Sequence, residues 1–170
     1  IQSGDLDTSD SLTVEKLISN DRTKIYPEAY RLTQPFSPHK SAAIDGITID
    51  PEKIVMPQTS NVLIIEGAGG LMVPLNSDFL MIDLIKKLGS EAILVSQNYL
   101  GSINHTLLSV QALKQHGIPI KGIIFNGEPD TSSQDYILQY SGIRLLGYIP
   151  QYPHTDKEAV LDACRHISLE

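Results

Sequence analysis

Residues 62–70 read VLIIEGAGG. Four apolar residues run into a lone glutamate, and glycine then fills three of the next four places. The apolar run predicts a strand, Val62–Glu66, buried on both faces. A carboxylate at the tip of a buried strand is costly unless a cation meets it. Magnesium with a nucleotide phosphate is a natural partner, because Mg²⁺ prefers one or two carboxylates plus phosphate oxygens. The glycines let the backbone approach a ligand, with amides turned toward anionic oxygens. The alternative is a tight turn out of the strand, with the glutamate capping a neighbouring helix.

Outward from this stretch the same pattern recurs. Ala92–Ser96, Ile120–Asn126 and Leu145–Ile149 also read as short buried strands rich in β-branched residues. Between them lie helical patterns. Ser102–His116 is the clearest, with Ile103, Leu107, Val110 and Leu113 on one face and Gly117 and Pro119 closing it. Phe79–Leu88, Ser132–Tyr140 and Thr155–Ile167 are further predicted helices, and Ser9–Ile18 an earlier one capped by Ser9 or Thr8. Residues 31–60, rich in Pro and Ser, predict less regular structure. Strands that are apolar on both faces and alternate with helices predict an α/β fold. The expected form is a three-layer, mostly parallel sheet with helices on both faces, one domain over residues 1–170. In such sheets ligands bind at the carboxyl ends of the strands. Those ends fall just after residues 66, 96, 126 and 149.

The bulk numbers narrow the function classes. The chain has 170 residues, 41% of them hydrophobic and 19% charged, an ordinary globular composition. Thirteen basic against twenty acidic residues give a net charge of −7, and no stretch concentrates Lys and Arg. Phosphate-backbone binding needs a basic face, so no nucleic-acid partner is expected. The longest apolar runs reach about half a bilayer span, and no charged-then-apolar leader opens the chain. A soluble, cytoplasmic protein with no membrane partner is expected. The single cysteine, Cys164, excludes an internal disulfide and reads as packed in a helix. The chain opens on IQSGDLDTSD without an initiator methionine, as if entered part-way through.

The other strand ends carry candidate chemistry. Ser96–His105 leads into the best helix, whose N-terminal amides behind Gly101 suit a carboxylate or phosphate. The other reading of Ser102 is an N-cap and nothing more. Asn126 ends a strand, and its amide presents a donor and an acceptor side by side, the geometry that reads a base edge. A turn residue tolerant of a left-handed backbone is the other reading. Gly147-Tyr148-Ile149-Pro150 offers backbone carbonyls and shape. Near the first helix, Asp10 reads either as a second metal-linked carboxylate or as a first-turn acid favoured by the helix dipole. His39, His105, His116, His154 and His166 have no partners at metal-ligand spacing and read as structural or surface residues.

In order, QSGD (2–5), SD (9–10), QPFSPHKSAA (34–43), VLIIEGAGGLMVPL (62–75), NYLGSINHTLLS (98–109), IIFNG (123–127) and LLGYIP (145–150) resemble the dethiobiotin synthetase family. The resemblance implies a P-loop-type, ATP-dependent carboligase that acts as a homodimer in biotin synthesis. The implied reaction joins CO2 to 7,8-diaminopelargonate and closes the ureido ring, releasing ADP and phosphate. It implies acidic Mg²⁺ ligands at Glu66 and Asp10, and a serine beside the diamine and carbamate at Ser3. Gly67, Ala68 and Gly69 would line the phosphate and substrate side. Asn126 would read adenine, with Ile149, Pro150 and Gln151 in the adjoining base-pocket loop. Gly101, Ser102, Ile103 and Asn104 would hold the substrate carboxylate and reach the partner subunit's active site. Pro35 and Ser37 would flank the substrate.

The chain also departs from the family pattern. The family opens with a strand, a glycine-rich loop ending in Lys-Thr, a helix and a second strand ending in Lys-Pro, and no G-x-x-x-x-G-K-[ST] occurs here. A chain without that phosphate cradle is expected neither to bind ATP well nor to turn over. Two rivals share the fold. A cobyrinate-type synthetase would need a glutaminase domain and its cysteine, and a ParA/MinD-like ATPase would need a basic or membrane-seeking surface.

Overall fold

The structure, a computed structural model, describes residues 1–169. Its contacts divide the chain into two compact units, Ile1–Leu88 and Gly89–Glu170. Among the described residues no helix is long and apolar enough to cross a membrane.

The second unit holds the predicted parallel sheet. Strands β3 (Ala92–Gln97), β4 (Ile120–Asn126) and β5 (Leu145–Ile149) lie in the order β3-β4-β5, all parallel. Helix α4 (Ser102–Gln115) joins the first pair and α5 (Thr131–Ser141) the second, the crossover that parallel neighbours require. The α4 stripe predicted from its spacing is present. Val110 is buried beside Ile123, Phe125 and Ile137, with Ile103 and Leu107 packed on the same cluster. Gly117, at φ 70°, and the Ile118 amide bonded to the Leu113 carbonyl at 2.9 Å end the helix. Asp130 starts α5 by accepting from the Ser133 amide and hydroxyl, at 3.2 and 2.6 Å.

Helix α6 (Lys157–Cys164) is shorter than predicted at both ends. Asp156 caps it by accepting from the Ala159 amide at 2.9 Å. Beyond it the chain turns back along β5, where the Tyr148 amide donates to the His166 carbonyl and the Ser168 amide to the Leu146 carbonyl, at 3.3 and 2.7 Å. Those ladder bonds, unreadable from helical periodicity, claim residues 166–168. They also explain Gly147: a Cβ there would stand 2.1 Å from the His166 carbonyl oxygen. Cys164, expected to be packed, is exposed at the helix end.

In the first unit, β1 (Gln2–Ser3) pairs in parallel with β2 (Arg31–Leu32). Helix α1 covers Asp10–Leu17, α2 Pro38–Ile44 and α3 Met81–Leu88. Leu32, Ala42, Ile49, Leu75, Met81 and Leu84 form the core of this unit. The segment 31–60, expected to be irregular, thus supplies a strand, a helix and three core residues, Leu32, Ala42 and Ile49. Helix α3 starts two residues later than predicted, because the Phe79 carbonyl is held in a turn by the Leu75 amide at 2.8 Å. Ser9 stands at the N-cap of α1, but its hydroxyl bonds to that of Ser11 at 3.1 Å instead of capping.

The largest difference lies at Val62–Glu66. This run is no strand, and Val62, Ile64 and Ile65 are exposed, Val62 at 86%. A strand is defined by ladder bonds to neighbours, and no described residues run beside this one. Hydrophobicity signals a buried strand but not the neighbours that bury it.

Two outcomes are expected. Phe125→Ala should cost about 3–5 kcal/mol, as for a fully buried aromatic, read by urea unfolding. The Thr33 hydroxyl, and then its amide at 2.8 Å, donate to Asp45 and hold its carboxyl below the usual carboxylate range. A depressed carboxylate stabilises above its unfolded pKa, and that stabilisation is lost as pH falls through the folded value. The melting difference between the protein and Asp45→Asn should therefore shrink as pH drops from roughly 5 to 2.

Candidate functional site

Parallel register sets the site in the second unit. Gln97 pairs with Asn126, and Asn126 with Ile149, so three carboxyl ends stand in one row. The loops that leave this row are cross-tied. The Asn98 side-chain amide donates to the Glu128 carbonyl at 2.6 Å, and the Gly127 amide to the Ile149 carbonyl at 3.0 Å. The Tyr148 hydroxyl donates to the Gly127 carbonyl.

Beside this row a cavity of about 490 Å³ is lined by residues 98–103, 128–130 and Ser133. Its floor is the start of α4. Gly101 holds the cap at φ 101°, in the left-handed region where glycine is favoured, and no side chain caps the helix. The Ser102 amide bonds to the Tyr99 carbonyl at 2.9 Å, and Ser102 and Ile103 line this space at the start of a 14-residue helix. Ser102 is buried, Ile103 half-buried and Asn104 exposed. The Asn98 side-chain oxygen is buried without a partner. Asn126 is half-buried at the row, and its side chain makes no hydrogen bond. Ile149 and Pro150 are half-buried and Gln151 exposed. The structure thus brings together the second-unit candidates on the row and its loops.

Sequence reasoning missed the tie across the α4 loop. The Tyr99 hydroxyl and His105 Nδ1 lie 2.7 Å apart, bridging Leu100 and Gly101. The two residues meet across a loop, where no periodic pattern applies, so nothing in the sequence announced it.

The first unit has its own cluster. Gly4, buried at φ 73°, packs on Pro35 so tightly that a Cβ would come within 2.7 Å of the Pro35 ring. That contact places Ser3 next to the segment holding Pro35 and Ser37. The Ser3 hydroxyl is buried with no partner, an orphaned group of the kind a ligand satisfies. Ser37 caps α2 by position, without a side-chain bond. The His39 amide donates to the Pro74 carbonyl at 3.3 Å, tying this segment to the chain after the glycines.

The glycine turn folds back on α3. Gly69 sits at φ 81°, and a Cβ on Gly67 would meet the Met81 sulfur at 3.2 Å. Ala68 packs on the first-unit core. Glu66 is exposed, not the buried acid expected from the apolar run, and it makes no hydrogen bond or ion pair. Asp10 is exposed in the first turn of α1, and its backbone amide donates to the Gln2 side chain at 3.4 Å.

Among the described residues no three His, Cys, Asp or Glu side chains gather to hold a metal ion. Asp10 and Glu66 are exposed carboxylates, the ligand type of which Mg²⁺ takes one or two alongside waters and phosphate oxygens.

A second set of polar contacts, also missed, surrounds Asp10. Glu28 accepts from the Ser11 hydroxyl and pairs with Arg31 at 3.3 Å. Burial pushes the Glu28 carboxyl up. The Ser11 and backbone hydrogen bonds, with lesser help from Ser9 and Arg31, outweigh it and leave the group below the usual carboxylate range. The three-residue spacing of Glu28 and Arg31 was the available signal.

The AAA domain family model matches residues 1–159. The ATP-dependent dethiobiotin synthetase BioD of Christiangramia forsetii is 47% identical over 160 residues, 94% of this chain and 77% of that protein. The corresponding protein of Agrobacterium fabrum is 41% identical over 170 residues, 99% of this chain and 80% of its own length. That of Cytophaga hutchinsonii is 45% identical over 161 residues, 94% and 78% of the two chains. With such identity sustained over nearly all its residues, the chain belongs to the ATP-dependent dethiobiotin synthetase family.

Proposed function

We propose that the protein is a dethiobiotin synthetase, an ATP-dependent ligase that builds the ureido ring of dethiobiotin in biotin biosynthesis. Its substrates are 7,8-diaminopelargonate, CO2 or bicarbonate, and ATP. The observation that carries the reading is identity of 41–47% to curated synthetases over 94–99% of the chain.

The chemistry runs in three stages. One amine attacks CO2, loses a proton and becomes a carbamate. A carbamate oxygen then attacks the γ-phosphorus of ATP, and ADP departs. The second amine attacks the activated carbon and expels phosphate, closing the ring. Each stage demands held geometry and stabilised negative charge more than a strong acid or base.

The residues of each unit suit these demands. Ser3, with its unsatisfied hydroxyl, serves the diamine and carbamate, flanked by Pro35 and Ser37. The amides of Gly67, Ala68 and Gly69 face phosphate oxygens, and Asp10 and Glu66 hold Mg²⁺. The metal would neutralise phosphate charge there. In the other unit, the unpaired Asn126 amide reads the adenine edge, and Ile149, Pro150 and Gln151 wall the base. The uncapped start of α4, from Gly101 to Asn104, takes the substrate carboxylate. We place this last contact in the active site of a second copy, in a homodimer. We place the protein in the cytoplasm, with no nucleic-acid or membrane partner. Residues matching the family's glycine-rich phosphate loop are not among these 170, so activity is to be tested on the intact protein.

ADP release that requires both diaminopelargonate and bicarbonate is the expected result. Release driven by DNA, lipid vesicles or glutamine would point to a ParA/MinD-like ATPase or a cobyrinate-type synthetase and overturn the reading. Glu66→Gln should lower turnover by about 10²-fold or more, the scale for losing one charge-stabilising group, with the melting temperature unchanged. Near-normal turnover removes Glu66 from the mechanism. Asn126→Ala should cut the preference for ATP over other nucleotides by about tenfold, the scale of one base-edge hydrogen bond.

A further inference from the structure

Asp10 sits on a short helix near the start of the chain, and exposed side chains on such elements are seldom fixed. Here the chain is gripped on both sides of it, by a backbone carbonyl before and a side-chain hydroxyl after. Arg31, on β2, donates its Nη2 to the Leu6 carbonyl at 2.6 Å, four residues before Asp10. Its Nη1 pairs with Glu28 at 3.3 Å. The other Glu28 oxygen accepts from the Ser11 hydroxyl, one residue after Asp10. Ser11 in turn bonds to Ser9, which is wholly buried. One arginine–glutamate pair thus holds both flanks of a single exposed carboxylate.

This grip differs from an ordinary surface ion pair. The Glu28 side chain is only 11% exposed, and both of its oxygens are engaged. Arg31 spreads its two nitrogens over two different segments, the fork geometry that lysine cannot offer. No hydrogen bond or ion pair of either side chain reaches the glycine turn or Ser3, so the pair is given no direct part in the chemistry.

We propose that Glu28 and Arg31 are positioning residues that set Asp10 for its divalent cation, a role that rests on the reading of Asp10 as a metal ligand. A carboxylate already held in place loses less freedom on meeting a hard cation, and affinity for the metal rises accordingly. The clamp therefore acts on metal affinity, leaving the rate at saturating metal nearly untouched.

The test uses the intact protein with ATP, titrated with Mn²⁺ as a paramagnetic stand-in for Mg²⁺ and read by the electron paramagnetic resonance signal of free Mn²⁺. Glu28→Gln and Arg31→Ala should each weaken Mn²⁺ binding three- to tenfold. Each should raise the Mg²⁺ concentration needed for half-maximal ADP release by a similar factor, with the maximal rate within twofold. Arg31→Lys, which cannot span both contacts, should not rescue. Adding Glu28→Gln to Asp10→Asn should weaken binding no further than Asp10→Asn alone.

If Asp10→Asn weakens Mn²⁺ binding but the Glu28 and Arg31 variants do not, the clamp is overturned and the site reading stands. If Asp10→Asn itself leaves binding unchanged, the site reading fails. Should Glu28→Gln not fold, Ser11→Ala removes one hydroxyl and no charge, and unchanged Mn²⁺ binding in that variant overturns the proposal equally.

Discussion

Parallel pairing is the constraint on which the second unit depends. Strands that run the same way must end on the same side, and the register Gln97–Asn126–Ile149 makes those ends level. Everything offered to a ligand there hangs from that row: the uncapped helix start, the free asparagine amide and the proline-fixed loop. The buried cluster of Ile123, Phe125, Val110 and Ile137 holds the row by pinning α4 and α5 to the sheet. Geometry at the edge is therefore paid for by packing in the middle.

The first unit reaches order by different means. Its sheet is only two residues wide in each strand, so local polar bonds and close backbone contacts carry more of the load. Gly4 against Pro35, the Arg31 fork and the Asp45 bonds to Thr33 each fix a short segment to a distant one. Such contacts are directional and sequence-remote. They fix the chain around Ser3 and Asp10 beside the apolar core of Leu32, Ala42, Ile49, Leu75, Met81 and Leu84.

This contrast explains what could be read from the chain alone. The strands β3, β4 and β5 and the α4 stripe were legible because burial on both faces and a helical period leave marks in composition. Element ends were less legible where a tertiary bond decided them, as at Phe79 and at residues 166–168. The motifs that named the family were legible residue by residue, since glycines at 67, 69 and 101 record backbone demands. The Glu28–Arg31 and Tyr99–His105 pairs were not, because a side chain's partner across a loop leaves no periodic trace. Val62–Glu66 was misread in the opposite direction, from a true signal of hydrophobicity to a false inference of enclosure.

That misreading has a practical side. Val62, Leu63, Ile64 and Ile65 present a β-prone, uncharged ribbon with unpaired backbone groups and no proline to blunt it. A polypeptide of these 170 residues carries, in effect, a sticky seam. At high concentration such a ribbon is open to edge pairing with the same ribbon of another copy.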